Sequence, residues 1–212
     1  SLADRGVKFN RAFAQHPQSV PSRSSLFTGR YPHSNGSISN FTAMNPLEKT
    51  LSEHFRESGY ETYCVGKLHL FEQKESEGFI HKMMCGGQHS DSDTPETLRE
   101  DYKYWLKNNG YWEKAKEAYA IHATDEYWEN YRSNTNPLPY EAYIDTWVGD
   151  RAIDFIKSLD KEKPFFMFVG FPNPHIPFDA PEPYASMYNP DDMIIPETFS
   201  RSLSDKPPQQ EF

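Results

Sequence analysis

The residues best suited to chemistry lie in one short stretch near the start of the chain, from Gln18 to Arg30. Pro21 suits the first position of a helix because its missing N–H costs nothing there, and Gly29 can adopt the left-handed conformation that ends a helix. Ser19 would then lie at the N-terminal end, where free N–H groups favour an anion. Arg23 follows four residues later, so its guanidinium can reach the same end. This combination predicts a site for a tetrahedral oxyanion.

Two further loops contain side chains that could join this site. Lys67 and His69 follow a predicted strand, and on an extended chain residues 67 and 69 point to the same side. Gly66 permits close approach of the backbone. His175 lies in the proline-rich loop 172–177, again after a predicted strand, and the prolines restrict its direction. Taken singly, each side chain also has a structural explanation, such as a solvated lysine or a packed histidine.

Together these stretches resemble the sulfatase family. The first is similar to the family's signature, in which a Cys or Ser is converted to Cα-formylglycine. The matching positions are Ser19, Pro21, Ser22, Arg23, Leu26, Thr28, Gly29 and Arg30. Gln18 and Val20 depart from the commonest pattern, which has small residues there. The loops at 66–70 and 172–177 resemble the second and third conserved blocks.

The resemblance implies a sulfuric ester hydrolase acting on an aryl or carbohydrate sulfate, with a role for each candidate residue. Ser19, as formylglycine, would be the nucleophile and one ligand of a divalent metal, with Ca²⁺ expected. Arg23 and Lys67 would hold the sulfate. His69 would hydrogen-bond the formylglycine and assist its deprotonation, and His175 would contact the ester near its leaving oxygen.

The resemblance covers roughly residues 1–80 and 140–195. The family's other metal-binding carboxylates would lie before residue 1 and beyond Phe212. We therefore expect residues 1–212 to be an incomplete N-terminal catalytic domain, inactive by itself. A serine at position 19 implies a bacterial protein matured without oxygen, and both the periplasm and the cytoplasm stay open as its compartment.

Two other functions stay open at this stage. One is a phosphonate or phosphate diester hydrolase of the same superfamily, since Lys67, His69 and His175 do not separate it from a sulfatase. The other is a non-enzymatic fragment, because an unmodified Ser19 without metal ligands would only bind anions. The expected partners of the enzyme are a sulfated small molecule or glycan and a maturation enzyme acting on Ser19.

Repeated helix–strand–loop units must position these residues, which predicts an α/β fold with an open, mostly parallel sheet, helices on both faces and the site at the carboxyl ends of the strands. The resemblance adds the alkaline-phosphatase-like fold. Thr50 and Glu53 form a predicted capping box that begins a helix. The predicted elements are strands at 7–14, 60–65 and 165–171, the last covered on both faces, and helices at 50–58 and 144–159.

The stretch from residue 71 to about 140 is charged and aromatic. It predicts a helical insertion at about 86–140, beginning with a polar loop at 86–93, whose aromatic rings pack against the sheet. The alternative is that these rings line a substrate pocket. Three histidines of this stretch show no spacing typical of a metal site: His81, His89 and His122.

Composition excludes several classes of protein. The net charge of -9 argues against a nucleic-acid partner, which needs a basic surface. No apolar run approaches the roughly 18 residues of a membrane span. Cys64 and Cys85 are the only cysteines, so a disulfide scaffold is excluded, although a single bridge is compatible with the sequence. The 212 residues, 36% of them hydrophobic, suit one sizeable core.

Overall fold

The computed structural model describes residues 2–70, 78–86, 101–200, 202, 204, 206 and 207. Three strands form one parallel sheet with β1 in the middle: β1 (Glu61–Gly66), β2 (His81–Met84) and β3 (Phe165–Gly170). The α-helices of the described residues are α1 (Ser19–Thr28), α2 (Pro32–Asn35), α3 (Leu51–Glu57), α4 (Asp101–Asn108), α5 (Trp112–His122), α6 (Asp125–Glu129) and α7 (Ile144–Ser158). Short 3-10 helices cover Leu2–Arg5, Tyr140–Ala142 and Pro190–Asp192. The predicted parallel α/β class is confirmed.

The sheet is covered by helices on both faces, as predicted. Successive side chains of a strand point to opposite faces. Val65 of β1 packs in one apolar cluster with Trp147 of α7. Its neighbour Cys64 packs on the other face with Phe27 of α1 and Phe79. Burial of apolar surface on both faces holds β1 in the centre, and β1 therefore positions the loop that follows it.

A pair of glycines joins the carboxyl ends of β1 and β3. Gly66 and Gly170 are register partners, and the amide N–H of Lys67 donates to the carbonyl of Gly170 at 2.8 Å. Gly66 has a φ of 86°, and a Cβ on it would collide with the Gly170 carbonyl. A Cβ on Gly170 would collide with the Lys67 carbonyl. The predicted close backbone approach at Gly66 is confirmed, and it brings the two following loops together.

Helix α1 begins two residues earlier than predicted. Ser19 is its first residue and Pro21 its third, and the first helical bond runs from the Ser22 N–H to the Gln18 carbonyl at 3.2 Å. The first N–H groups of a helix have no partner within it, so proline costs no hydrogen bond at the third position either. Gly29 ends the helix in the left-handed conformation with φ of 68°, as predicted.

The predicted capping box is present at the start of α3. The Glu53 N–H donates to the Thr50 hydroxyl at 3.2 Å, and the Thr50 N–H donates to the Glu53 carboxylate at 2.7 Å. Gly59 follows the helix with φ of 85°, and β1 begins two residues later. These local signals therefore located the helix–strand unit that carries the second candidate loop.

One prediction about strands is wrong, and another holds only in part. Residues 7–14 form no strand, and the side chains of Val7 and Phe13 are both 79% exposed. A period-two pattern makes a strand only where a neighbouring strand accepts its hydrogen bonds, and the described part of the chain offers none to this segment. Strand β3 is covered on both faces only in part: Met167 and Val169 pack against one cluster and Phe166 and Phe168 against the other, but Phe165 is exposed and the next four residues are half-buried. Among described strands β3 has only β1 as a neighbour.

Aromatic residues of the middle stretch pack into helices, as predicted. Tyr102 and Leu106 of α4 join Trp147 in the larger apolar cluster, and the Tyr102 hydroxyl donates to the Ala142 carbonyl at 2.7 Å. Helix α4 contacts β2 and α5, and its two side chains share their cluster with Trp147 of α7. Residues 87–93 of the predicted polar loop, and His89 within them, lie outside the described residues.

Neither cysteine contributes a disulfide in this structure. Cys64 and Cys85 are both buried thiols, on opposite faces of the sheet. No helix in the described ranges combines the length and the apolar character that crossing a membrane requires.

Candidate active site

Ser19 and His69 are in direct contact. The Ser19 hydroxyl lies 2.7 Å from Nδ1 of His69, although the two residues are fifty positions apart. Ser19 is the first residue of α1, and His69 lies in the loop that leaves the carboxyl end of β1. The backbone of His69 is left-handed, with φ of 50°, so the chain departs from an extended conformation at this residue. The alternation predicted for residues 67 and 69 stays a prediction.

Arg23 ties α1 to the same loop. Its Nη1 donates to the backbone carbonyls of Lys67 and Leu68, each at 3.2 Å. Burial lowers the pKa of Arg23, which still carries its charge at neutral pH. The guanidinium thus holds the loop that carries His69 against α1, in addition to the anion-binding role that the sequence predicts for it.

Lys67 is a buried cation, with 5% of its surface exposed. Burial lowers its pKa, and the like charge of Arg23 lowers it further. Two positive groups held near each other away from water are costly unless an anion accompanies them. The arrangement therefore favours a bound anion beside Ser19.

Burial lowers the pKa of His69 to about 4, and the positive charges of Lys67, Arg23 and His175 act in the same direction. At neutral pH the ring is uncharged, so its Nδ1 can accept a hydrogen bond from the Ser19 hydroxyl. The loop that carries His175 begins beside the loop that carries His69, because the Lys67 N–H donates to the Gly170 carbonyl at 2.8 Å.

The His175 ring is exposed, and its Nδ1 lies 2.8 Å from the Ile176 carbonyl. Because a carbonyl only accepts, this nitrogen carries a proton. The loop is anchored by Asn173, whose side-chain amide donates to the Tyr143 hydroxyl at 2.6 Å and to the Asp145 carboxylate at 2.8 Å. Burial raises the pKa of Asp145.

Sequence reasoning missed this anchor. Tyr143 and Asp145 lie at the start of α7, where an acidic residue is expected simply to complement the helix dipole. Asn173 stands in a loop already noted for its prolines. The sequence does show polar side chains in the loop after β3 and at the start of the predicted helix at 144–159. It does not show that Asn173 and Asp145, which are 28 residues apart, form a hydrogen bond.

The structure thus brings Ser19 into contact with His69 and ties Arg23 to the backbone of Lys67 and Leu68, while His175 lies in the neighbouring loop after β3. Their catalytic roles stay predictions. Within the described ranges, no group of three or more His, Cys, Asp or Glu side chains could hold a metal ion. The surroundings of Ser19 are cationic and fit an anion; by themselves they do not fit a divalent metal.

The sequence of this chain is similar to the sequences of known sulfatases. The family model described as Sulfatase matches residues 1–200. The chain is 27% identical to an arylsulfatase of Clostridium perfringens, covering 92% of this chain and 41% of that protein. It is 28% identical to an N-acetylglucosamine-6-O-sulfatase of Bacteroides thetaiotaomicron, covering 82% of this chain and 25% of that protein. The chain therefore spans about two fifths or less of the length of these curated relatives.

Solved structures share the fold. A phosphonate monoester hydrolase of Agrobacterium radiobacter superposes with a TM-score of 0.62 at 18% identity, covering 86% of this chain and 37% of that one. BT4656, solved with its substrate D-glucosamine-2-N,6-O-disulfate, superposes with a TM-score of 0.53 at 23% identity, covering 82% and 28%. The fold is thus alkaline-phosphatase-like, as the resemblance implied. Since the family model matches residues 1–200 of its 212, this chain belongs to the sulfatase family.

Proposed function

We propose that the complete protein is a sulfuric ester hydrolase that cleaves a carbohydrate or aryl sulfate with a nucleophile derived from Ser19. The observation that carries this proposal is the 2.7 Å contact between the Ser19 hydroxyl and His69 at the positive end of α1, beside Arg23 and Lys67. A reactive oxygen, a neutral imidazole and two cations belong to this one region, and together they suit a tetrahedral anion.

A carbohydrate sulfate is favoured by the relatives. One of them is named as an N-acetylglucosamine-6-O-sulfatase, and a structure with the same fold was solved with a disulfated glucosamine as its substrate. A sulfate ester keeps a negative charge, which Arg23, Lys67 and the free N–H groups of α1 would hold. Fixed positive groups in a cleft outweigh the net negative charge of the chain at close range.

A serine hydroxyl is a weak nucleophile unless it is activated. We propose that a maturation enzyme removes two hydrogens from Ser19, taking up two electrons and two protons, to give formylglycine. One hydroxyl of its hydrate attacks sulfur, and the bond between sulfur and the ester oxygen breaks. The second hydroxyl then loses its proton, the bond between carbon and the sulfate oxygen breaks, and the aldehyde re-forms. His69 accepts a proton at Nδ1, the atom that already contacts Ser19. His175, in its protonated form, donates to the leaving oxygen. Overall, the sulfate ester and water give the alcohol and hydrogen sulfate, and the formylglycine aldehyde is regenerated.

The resemblance also implies a divalent cation, for which Ca²⁺ is the expected ion and which would stabilise negative charge on the sulfate. The described side chains around Ser19 supply no carboxylate cluster for it. Modified Ser19 is the one ligand that we assign to this chain, and the steps above rely on the residues of the chain alone.

Hydrolysis of phosphonate or phosphate diesters is the second candidate function. The superposition with a phosphonate monoester hydrolase supports it, because the same cationic site would accept a tetrahedral phosphonate. The two candidate functions can be distinguished by measuring the rates at which the complete protein hydrolyses 4-nitrophenyl sulfate and a phenyl phosphonate monoester. We expect the sulfate to be the better substrate, and a preference for the phosphonate would reverse the order.

Mass spectrometry of the protein from its natural host tests the modification directly. Trypsin should release residues 12–23, and oxidation of Ser19 to formylglycine lowers the mass of this peptide by about two units. Fragment ions assign the change to Ser19 and leave Ser22 unchanged, so Ser22 is the internal control. An intact serine at position 19 in active enzyme would contradict the proposed nucleophile.

Sulfate binding should raise the pKa of His69 above its value of about 4, because an anion offsets the charges of Lys67 and Arg23 that lower it. NMR titration of the ring signals with and without inorganic sulfate measures this shift and does not require the modification. The ring of His33, which stacks on Tyr31, should not respond to sulfate. An unchanged His69 titration at saturating sulfate would place the anion elsewhere.

A further inference from the structure

A cavity of about 430 Å³ lies between the start of α7 and the loop after β3. Its volume is within the range of small-molecule sites in proteins. The rings of Tyr140 and Tyr184 form part of its lining, with centroids 5.5 Å apart, and Phe178 adds a third ring. Each of the three side chains is about half exposed, so its ring is accessible. The cavity is therefore rich in flat apolar surface.

The polar lining of this cavity is acidic. Asp145 and Asp179 are both lining residues, and no Lys, Arg or His is among the described residues that line it. The buried Asp179 carboxylate accepts from Asn136 at 2.7 Å and from Tyr143 at 3.3 Å, and Nε2 of His122, which is not a lining residue, lies 3.3 Å from it. Asp145 accepts from Asn173. The carboxylates thus make this cavity unfavourable for an anion, in contrast to the cationic surroundings of Ser19.

One loop connects the cavity with the candidate active site. Asn173 and Pro177 line the cavity, and His175 lies between them in sequence. The Cα atoms of Asn173 and His175 can be at most about 7 Å apart, because two residues of extended chain span no more. The same loop follows Gly170, whose carbonyl accepts from the Lys67 N–H at 2.8 Å, and Lys67 lies two residues before His69. A ligand in the cavity would therefore lie close to the residues that surround Ser19.

We propose that this cavity binds an uncharged hexopyranose unit of the substrate while the sulfate lies beside Ser19. This inference rests on the proposed function. Aromatic rings pack against the apolar faces of a pyranose, and carboxylate and amide groups accept or donate to its hydroxyls. The two acidic side chains exclude the sulfate from the cavity and so orient the substrate between the two sites.

Saturation-transfer NMR on the complete protein tests the cavity with two probes, N-acetylglucosamine and galactose, each at millimolar concentration. We expect at least one of them to bind to the unaltered protein. Tyr184→Ala should weaken this binding about tenfold, as loss of an aromatic contact does. Tyr184→Phe should retain it because the ring remains. Tyr104→Ala is the matched control, since Tyr104 is exposed and lies outside the cavity lining.

Melting temperatures of all variants verify that they are folded. Binding of neither probe, binding unaffected by Tyr184→Ala, or displacement of the sugar by inorganic sulfate would each overturn the proposed subsite. Hydrolysis of 4-nitrophenyl sulfate by the same preparation separates the two proposals. Turnover without sugar binding contradicts the subsite alone, whereas sugar binding at the cavity without turnover supports the subsite and contradicts the proposed function.

Discussion

Replacing Ser19 with alanine is expected to lower kcat/KM of the complete enzyme for an aryl sulfate by more than about a thousandfold, because the reacting oxygen is removed. The fold should be retained. Ser19 is half-buried in the first turn of α1, and its hydroxyl contacts His69 and not the apolar core. Steady-state kinetics and a thermal unfolding curve of the same preparation measure both quantities.

The matched control for this change is Ser34→Ala. Ser34 is exposed in the short helix α2, so its replacement should alter neither turnover nor melting temperature. A second comparison is Ser19→Cys, which should keep activity in a host whose maturation enzyme accepts cysteine. Full activity of Ser19→Ala would show that the reaction uses another nucleophile.

Replacing Lys67 with methionine should lower kcat/KM by about 3 kcal/mol, or roughly a hundredfold, because a fixed cation no longer meets the charge of the transition state. Methionine fills similar space in this buried position. The melting temperature should not fall, because removing one of two like charges that are held away from water relieves a cost in the unliganded protein.

Lys161→Met provides the control, since Lys161 is exposed in the turn before β3. The double variant Lys67→Met, His175→Ala should lose less than the sum of the two single losses, as groups that act as a unit do. Strict additivity would argue that the two side chains act independently. A loss of activity accompanied by an equal loss of stability would assign Lys67 to the fold.

Local sequence signals located most of the framework. The Thr50–Glu53 capping box, Gly29 after α1 and the apolar run of β3 each depend on neighbouring residues, and the structure places them within one or two residues of the prediction. The same kind of signal was insufficient for residues 7–14, because a strand needs a partner that no local pattern reveals.

The candidate site was predictable in its residues but not in its geometry. The motifs contain Ser19 and His69, but at the contact His69 has a left-handed backbone conformation, which is uncommon for residues other than glycine and asparagine. The contacts of Asn173 with Asp145 join two elements across the sheet edge, and such pairs follow from the packing of α7 on β1 and β3. Long-range packing of this kind has no signature in a single sequence.

The facing glycines at the ends of β1 and β3 have a consequence for laboratory evolution of this site. At Gly66 and Gly170 the two backbones lie so close that a glycine hydrogen fits between them but a Cβ does not. Main-chain contact therefore sets the distance between the loop that carries His69 and the loop that carries His175. A library intended to change substrate preference can therefore randomise exposed positions such as Phe178 and Tyr184 freely. Codons 66 and 170 should stay glycine, since any side chain there would displace both loops together and most clones would be lost before selection.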